Sequence, residues 1–430
     1  MIANENPVIA NSLWSATANA TPDYPALSGE IDVDVAIVGA GFTGLSAALH
    51  LAQAGKHVAV LDAQHPGWGA SGRNGGQVNP GLIEDPDQVE ARFGPTYGPR
   101  MVANSGKAGE LVFSLVKQHG IECDANPVGW IRAAHTPRAF RALQAKAQGW
   151  QQRGAAVDVL SKTDMADKLG SDAYVGGLID CRGGNIHPLN YALGLAQAAS
   201  TLGAQIFGQS KVLGLQQVGD MQRLTTATGQ VTAGKVLICT NGYTDGLIPG
   251  LRRTIVPIRS VQVATKPLSD NIYRSILPEL HAPSDLRRLL LYFRKDASGR
   301  FIMGARGAYG DAATKRAQAA ARAVACRIFP QLQGVDWDYA WGGFIAHTTD
   351  HSPHLNQLAD GVMCGMGYNG RGVAMATSMG KVLADWAGGV PVADLDYPVT
   401  RPKPIALHGL HRMGVALEVT RARALDVLGW

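Results

Sequence analysis

Three glycine-rich stretches hold most of the chemistry this sequence offers. The first is Gly39-Ala40-Gly41-Phe42-Thr43-Gly44, a Gly-x-Gly-x-x-Gly spacing. It follows a β-rich run, Val33, Val35, Ala36, Ile37 and Val38, and precedes Leu45, Ala48, Leu49 and Ala52 at helical spacing. Strand, glycine turn and helix in that order make a phosphate-binding unit. Gly39 permits the tight turn, Gly41 leaves no side chain to block a pyrophosphate, and Gly44 lets helix and strand approach closely. Phe42 and Thr43 open the helix, where free N–H groups and a partial positive charge favour anionic phosphates. Asp62 closes the next strand, 23 residues after Gly39, where an acid bonds the adenosine ribose hydroxyls. An acid at that position favours FAD or NAD over NADP.

The second stretch, Gly67-Trp68-Gly69-Ala70-Ser71-Gly72-Arg73-Asn74-Gly75-Gly76-Gln77, lies directly after that strand. So many glycines among Ser, Arg and Asn suit a backbone laid against a large flat ligand. The third, Gly365-Met366-Gly367-Tyr368-Asn369-Gly370-Arg371-Gly372, sits between a strand at Val362–Met366 and a helix expected from about Gly372 to Trp386. A helix N-terminus there suits the negative charge a reduced flavin carries. Three such contacts from distant parts of one chain fit an extended FAD better than NAD.

These motifs need elements to position them. Residues 31–62 read as one βαβ unit, and Lys235-Val236-Leu237-Ile238-Cys239-Thr240 as a buried strand ending at the turn Asn241-Gly242. The pattern from about Asp87 to Gln152 is mostly helical, Asn190–Thr201 is a helix, and residues 255–265 and 289–306 alternate like antiparallel strands. The fold class is α/β: a Rossmann-type FAD-binding domain with a discontinuous antiparallel substrate domain. The expected division is an arm at 1–30 lying over the surface, an FAD-binding domain at 31–90, 188–250 and 340–400, a substrate domain at 91–187 and 251–339, and a tail at 401–430.

Composition narrows the classes. At 430 residues, the chain exceeds one compact core. The net charge of +5 comes without a dense basic block, which argues against nucleic acid. Five scattered cysteines, none spaced Cys-x-x-Cys, fit a reducing cytoplasm and no metal site. The first twenty residues lack the basic start and apolar run of a signal peptide, and no uninterrupted apolar stretch of about 18 residues exists to span a membrane.

With these residues in view, the sequence resembles the D-amino-acid oxidase-like FAD oxidoreductases from about Trp14 to Trp386. Within that family it is similar to the γ-glutamylputrescine oxidoreductase-like branch. The resemblance rests on Tyr24-Pro25-Ala26-Leu27-x-Gly29, on Gly69-Ala70-Ser71-Gly72-Arg73-Asn74-Gly75-Gly76-Gln77, on His187-Pro188-Leu189-Asn190-Tyr191-Ala192-Leu193-Gly194-Leu195, and on Trp341-Gly342-Gly343. It implies a substrate oxidised at a C–N bond, by hydride transfer to flavin N5, to give an imine. Carried onto this chain, it places Asp62 and Ala63 at the ribose, Val212 at the adenine, and Thr240, Asn241 and Gly242 along the adenosine and pyrophosphate. Ser71 to Gln77 approach the flavin ring, and Gly367 to Val373 its pyrimidine edge. Some relatives attach flavin through a cysteine before the final strand; Trp341 to His354 contains none, which implies non-covalent FAD. Ile302 stands where some carry an oxygen-assisting lysine, which favours a dehydrogenase using another acceptor, such as a quinone, over one using oxygen.

Substrate contacts are expected from the inserted sheet and from 341–354. Arg294, Arg306 and Arg371 are candidates to grip a substrate carboxylate, because a guanidinium matches it with two prongs. Tyr292 and Trp341 are candidates for an aromatic wall. His347, His351 and His354 have a suggestive spacing, but Pro353 interrupts any helix there and a solvated loop is the better reading. The basic, partly apolar tail reads as a docking helix or as a peripheral contact with the inner membrane face. Two other readings share the first motif: a flavin dehydrogenase of hydroxy compounds, glycerol-3-phosphate type, and a non-catalytic FAD-binding redox subunit.

Overall fold

The computed structural model describes residues 12–307 and 309–428, apart from the side chains at 423, 424 and 426–428. Pro7 of the expected arm, and the side chains of Arg423, Val427 and Leu428 in the expected tail, lie outside the described residues.

Among the described residues, nine strands form the first sheet. Its spine runs Val399–Thr400, His354–Ala359, Val362–Met366, Gly229–Ile238, Gly29–Val38, Val58–Leu61, Gln205–Phe207. The central pairings are parallel: Val38 lies beside both Leu61 and Ile238, and Ile238 beside Cys364. Strands buried on both faces must be apolar throughout, which is why Val35–Val38 and Val58–Leu61 read as unbroken apolar runs. The neighbours of Gly29–Val38 diverge to either side, which leaves a crevice at the C-terminal ends of the strands. Two helices bring their N-termini to that crevice, Phe42–Gln53 and Gly372–Gly388. They lie very close: a Cβ on Gly380 would sit 2.5 Å from the Thr43 carbonyl oxygen, and Ser46 Oγ donates to Thr377 O at 2.7 Å.

The second sheet has eight strands, in the order Trp337–His347, Val256–Pro267, Arg300–Arg306, Leu291–Lys295, Ser284–Asp285, Trp130–Ala134, Gly176–Asp180, Val157–Leu160. Alternation splits its side chains between two faces. Ile131, Ala133, Val263, Phe293 and Met303 pack with Ala321 and Ala325 of the helix Asp311–Ile328. Ser260, Gln262 and Tyr292 point the other way, into the crevice.

The stretch from Asp87 to Gln152 is mostly helical, as expected, with one interruption. The strand Trp130–Ala134 separates the helices Pro86–His119 and Pro137–Gln151, and its partners Gly176–Asp180 and Ser284–Asp285 lie far off in sequence. Two expectations need correction. The solvated loop offered for His347, His351 and His354 is shorter than that span: His347 ends the strand Trp337–His347, which pairs along its length with Val256–Pro267, and His354 opens the strand His354–Ala359. The arm is not merely superficial. Leu13 and Trp14 are fully buried, and the short helix Leu13–Ala16 that carries them is capped by Ser12. Trp14 Nε1 donates to Asn74 O at 2.8 Å, so the indole leaves no polar group unsatisfied.

His187 holds this plug from the other side. Its ring meets Trp14 edge-on at 4.8 Å, Nδ1 accepts the Asn190 N–H at 3.1 Å as N-cap of the helix Pro188–Thr201, and Nε2 lies 3.0 Å from Thr17 Oγ1. Burial, aided by the nearby Arg294 charge, pulls its pKa from 6.5 to about 3. The folded state therefore keeps the ring neutral while the unfolded chain takes up a proton below pH 6.5. Stability is complete above that pH and declines as pH falls toward about 3. Asn at 187 can still cap the helix but cannot titrate. Urea unfolding should show wild type losing about 2 kcal/mol more than His187→Asn between pH 6.5 and pH 5. Parallel losses in the two proteins would refute this origin.

Candidate active site

One cavity runs from the crevice of the first sheet to the inner face of the second. Its nucleotide end is built by the glycine turn. Gly39 has φ 106°, and a Cβ there would lie 2.9 Å from the Cys239 carbonyl oxygen. A Cβ on Gly44 would fall 2.0 Å from Gly39 O, so the helix rests directly on the turn. Gly41 faces the cavity; a Cβ would meet Ser71 Oγ at 3.0 Å, and that same oxygen accepts the Phe42 N–H at 2.9 Å. Asp62 Oδ2 accepts from Ala40 N at 2.7 Å and Oδ1 from Gln64 N at 2.8 Å. Burial raises its pKa, against the pull of those N–H groups, and each oxygen retains further acceptor capacity. Ala63, Val212, Thr240, Asn241 and Gly242 continue the wall, with Phe42 and Thr43.

The next part of the wall is the string after Trp68. Gly69, Ala70, Ser71, Arg73, Asn74, Gly75 and Gln77 all line the cavity. A 3-10 turn, Ala70–Gly72, is fastened by Asn74, whose Nδ2 donates to Ala70 O and Ser71 O while Oδ1 accepts from Gly76 N. Arg73 Nε donates to Trp68 O at 2.8 Å and lies over the Trp68 ring at 4.6 Å. The opposite edge is Asn369, Gly370, Gly372 and Val373, at the start of the helix Gly372–Gly388. Asn241 Oδ1 accepts the Gly367 N–H at 3.0 Å and thereby ties the two strand ends together. Gly343 closes the wall from the second sheet.

Some expected cofactor contacts stand behind the wall. Gly44, Gly76 and Gly367 face protein: the space a side chain would need is taken by Gly39 O, Ile186 O and the Thr348 methyl group. Arg371 also points away; its Nη1 donates to Pro80 O at 2.8 Å and its guanidinium lies 4.9 Å from the Trp130 ring centroid.

Of the expected substrate residues, only Tyr292 lines the cavity. Its hydroxyl lies 2.6 Å from Ser260 Oγ, and burial pushes its pKa up to about 12, so it stays a neutral phenol. Arg294 is buried, donating to Ile186 O and to Lys295 O, with Trp14 under its guanidinium. Half-buried Arg306 lies off the cavity, its pKa lowered by burial. His347 ends its strand, and burial draws its pKa to about 4; His354 pairs with Asp350 at 3.0 Å. Trp341 is core, its Nε1 bonded to Arg73 O. Wall residues not singled out from sequence include Asn79, Tyr243, Ser260, Gln262 and Phe344, and at the nucleotide end Lys211 and Asp245. Ser260 and Gln262 carried a signal, being two apart on a strand that already read as alternating.

Residues 34–386 match the family described as FAD dependent oxidoreductase. The chain belongs to that family. It is 33% identical over 377 residues to gamma-glutamylputrescine oxidoreductase of Escherichia coli (strain K12), across 87% of this chain and 88% of the relative. Its fold is that of glycine oxidase from Geobacillus kaustophilus, with TM-score 0.68, 21% identity, and coverage of 83% of this chain and 95% of that one. It is also that of iminodiacetate oxidase from Chelativorans sp. BNC1, with TM-score 0.69, 21% identity, and coverage of 86% and 100%. The chain is thus an FAD-dependent oxidoreductase.

The wall fits that cofactor. Two helix N-termini open on the cavity without a side-chain cap hydrogen bond, a carboxylate with spare acceptors stands at the ribose position, and Gly41, Gly69, Gly75, Gly343, Gly370 and Gly372 let a ligand approach the backbone along the wall. No helix among the described residues is long and apolar enough to cross a membrane, and no group of three or more His, Cys, Asp or Glu among them can hold a metal ion. Gly41→Val places a branched side chain between the helix start and Ser71. The variant should purify folded by circular dichroism with under about a tenth of the wild-type flavin absorbance per chain. Wild-type flavin content would refute the pyrophosphate assignment.

Proposed function

We propose that this enzyme oxidises a C–N bond of an amine or amino acid to an imine, which water then hydrolyses. Bound non-covalently, FAD supplies the two-electron acceptor. The observation that supports this reading is what the cavity wall lacks. Among the described residues no histidine lines it, and its carboxylates, Asp62 and Asp245, belong to the nucleotide end. An alcohol must lose its hydroxyl proton to a base during oxidation. A neutral amine needs no base, because its lone pair assists departure of the adjacent hydride. The neutral groups Tyr292, Ser260 and Gln262 suit amine oxidation, since they orient an amine and offer no carboxylate to stabilise its ammonium form. Gln262 Nε2 donates to Arg73 O, and its buried Oε1 has no hydrogen-bond partner, which makes it an acceptor for a substrate N–H. The relatives named above are oxidoreductases of amines and amino acids, which agrees.

Anaerobic bleaching of the flavin tests the reading. A panel of primary amines, amino acids, imino acids and hydroxy acids should reduce the flavin only through C–N members. Reduction by an alcohol and by no amine would establish the hydroxy-compound reading, and bleaching by nothing would favour a redox subunit.

Ile302 is buried among Trp14, Trp68, Leu189 and Trp341, so no charged group stands at that position to assist oxygen. We propose that reduced enzyme passes its electrons to a quinone, working in the cytoplasm at the inner membrane face. The helix His411–Leu428 supports this, with exposed Met413 and Leu417 beside Arg412 and Arg421, a composition suited to anionic lipid. Both apolar residues are exposed, so Met413→Glu with Leu417→Glu should leave the fold intact and cut co-sedimentation with phosphatidylglycerol vesicles several-fold. Equal sedimentation of variant and wild type would remove the membrane from the account.

A further inference from the structure

At the substrate end of the cavity, one buried hydroxyl decides where the protons point. Three neighbouring strands place it. Tyr292 and Gln262 both pair with Gly304, from opposite sides, so the three positions form one row across the sheet. Ser260 lies two residues before Gln262 on the same strand and shares its face. Gly304 has no side chain, and the Tyr292 ring leans into the space it leaves. A Cβ on Gly304 would collide with that ring, and one on Gly75 would lie 2.7 Å from its edge. The ring is gripped between its own sheet and the backbone at Gly75, which fixes where its hydroxyl oxygen sits.

The direction of each hydrogen bond follows from the donors and acceptors present. Ser260 Oγ lies 2.6 Å from the Tyr292 hydroxyl and donates to Ala305 O at 3.3 Å. A serine has one proton to give, so the short bond takes the phenolic proton of Tyr292. The reverse order would forfeit the bond to Ala305 O. Tyr292 is left with lone pairs for the cavity that it and Ser260 both line. Gln262 is fixed in the same sense. Its Nε2 donates to Arg73 O, which also takes the Trp341 indole N–H, and its Oε1 is the end buried without a partner. That oxygen would lie 3.7 Å from a Cβ on Gly75, on the side where the Tyr292 ring passes. Two acceptors therefore meet at one place on the wall.

We propose that Ser260 is a positioning residue that makes Tyr292 a hydrogen-bond acceptor, so that Tyr292 and Gln262 together receive N–H groups of a ligand and disfavour an anionic oxygen at the same place. This rests on the amine-oxidation reading above. A phenol by type is indifferent, since it both donates and accepts. An acceptor set against another acceptor leaves both unpaired, which is costly in a buried wall. Without the Ser260 hydroxyl, the Tyr292 proton turns into the cavity, and the same ring becomes a donor that suits an anion.

The experiment titrates the flavin-loaded enzyme with tert-butylamine and with pivalate, which share one apolar body and differ in the polar head. Neither carries hydrogen on the carbon that bears the head, so neither is oxidised there. Binding is read by calorimetry and from the flavin absorbance, without turnover. Ser260→Ala should weaken tert-butylamine and tighten pivalate, each about threefold, which moves the ratio of the two dissociation constants about tenfold. Ser260→Thr keeps the hydroxyl and should keep the wild-type ratio. Adding Tyr292→Phe to Ser260→Ala should remove the gain in pivalate. A role confined to packing would weaken both ligands or neither. Should Ser260→Ala fail to fold, Tyr292→Phe alone must weaken tert-butylamine and leave pivalate unchanged. A ratio unmoved in Ser260→Ala, a ratio moved as far in Ser260→Thr, or no binding of tert-butylamine by wild type overturns the proposal. A ratio shifted only in Ser260→Ala, with the flavin reduced by hydroxy compounds alone, would sustain the Ser260 assignment and defeat the amine-oxidation reading instead.

Discussion

The structure depends on how closely two helices approach each other and the turn beneath them. Gly44 rests on the carbonyl of Gly39, and Gly380 rests on the carbonyl of Thr43. Neither contact leaves room for a methyl group. Because of this, the helices Phe42–Gln53 and Gly372–Gly388 present their N-termini side by side at the ends of the parallel strands. Each brings unpaired N–H groups and a partial positive charge to the same cavity. A diphosphate and a flavin edge that turns anionic on reduction both gain from that arrangement. The cofactor site therefore rests on backbone shape and helix dipoles, with Asp62 as the buried charged side chain at its nucleotide end.

The second sheet supplies what backbone alone cannot. Its outer face is an ordinary apolar core under the helix Asp311–Ile328, and its inner face is neutral and polar where it meets the cavity. A shell of aromatic residues and arginines stands behind that wall. Trp14, His187, Trp341 and Arg294 interlock there, each bonded to a backbone carbonyl or a neighbouring side chain. Such a shell braces the Arg73–Gly75 backbone at the cavity wall through bonds to Arg73 O and Asn74 O. It also explains why arginines that suggest substrate binding by type serve instead to hold the fold.

Much of the cofactor site was legible in the sequence, because its parts are local. A glycine spacing, an acid at the end of the next strand and a serine–asparagine glycine loop each state their geometry within a few residues. The substrate side was legible only in fragments. Tyr292 was picked out by type, yet Ser260 and Gln262 gain meaning only from the register of Val256–Pro267 with its neighbours. Arg371 sits in a glycine-rich turn that suggests the flavin, but its side chain is drawn to Pro80 O and the Trp130 ring, both far away in sequence. The strand Trp130–Ala134 was hidden for a like reason, since both of its partners are remote.

The sequence by itself determined the parallel core, the glycine turn, the acid beside it and the three glycine-rich segments that line the cavity. Those features follow from backbone conformation and side-chain size, properties a residue keeps wherever the chain goes. Only the tertiary structure decided which charged side chains face the cavity and which are consumed in the shell. It buried Leu13 and Trp14 of an otherwise polar arm, set Arg294 on carbonyl groups, and buried Lys146 against Asp85. The reason is physical: the fate of a long polar side chain depends on which partner lies within hydrogen-bond reach, and that partner comes from another part of the chain.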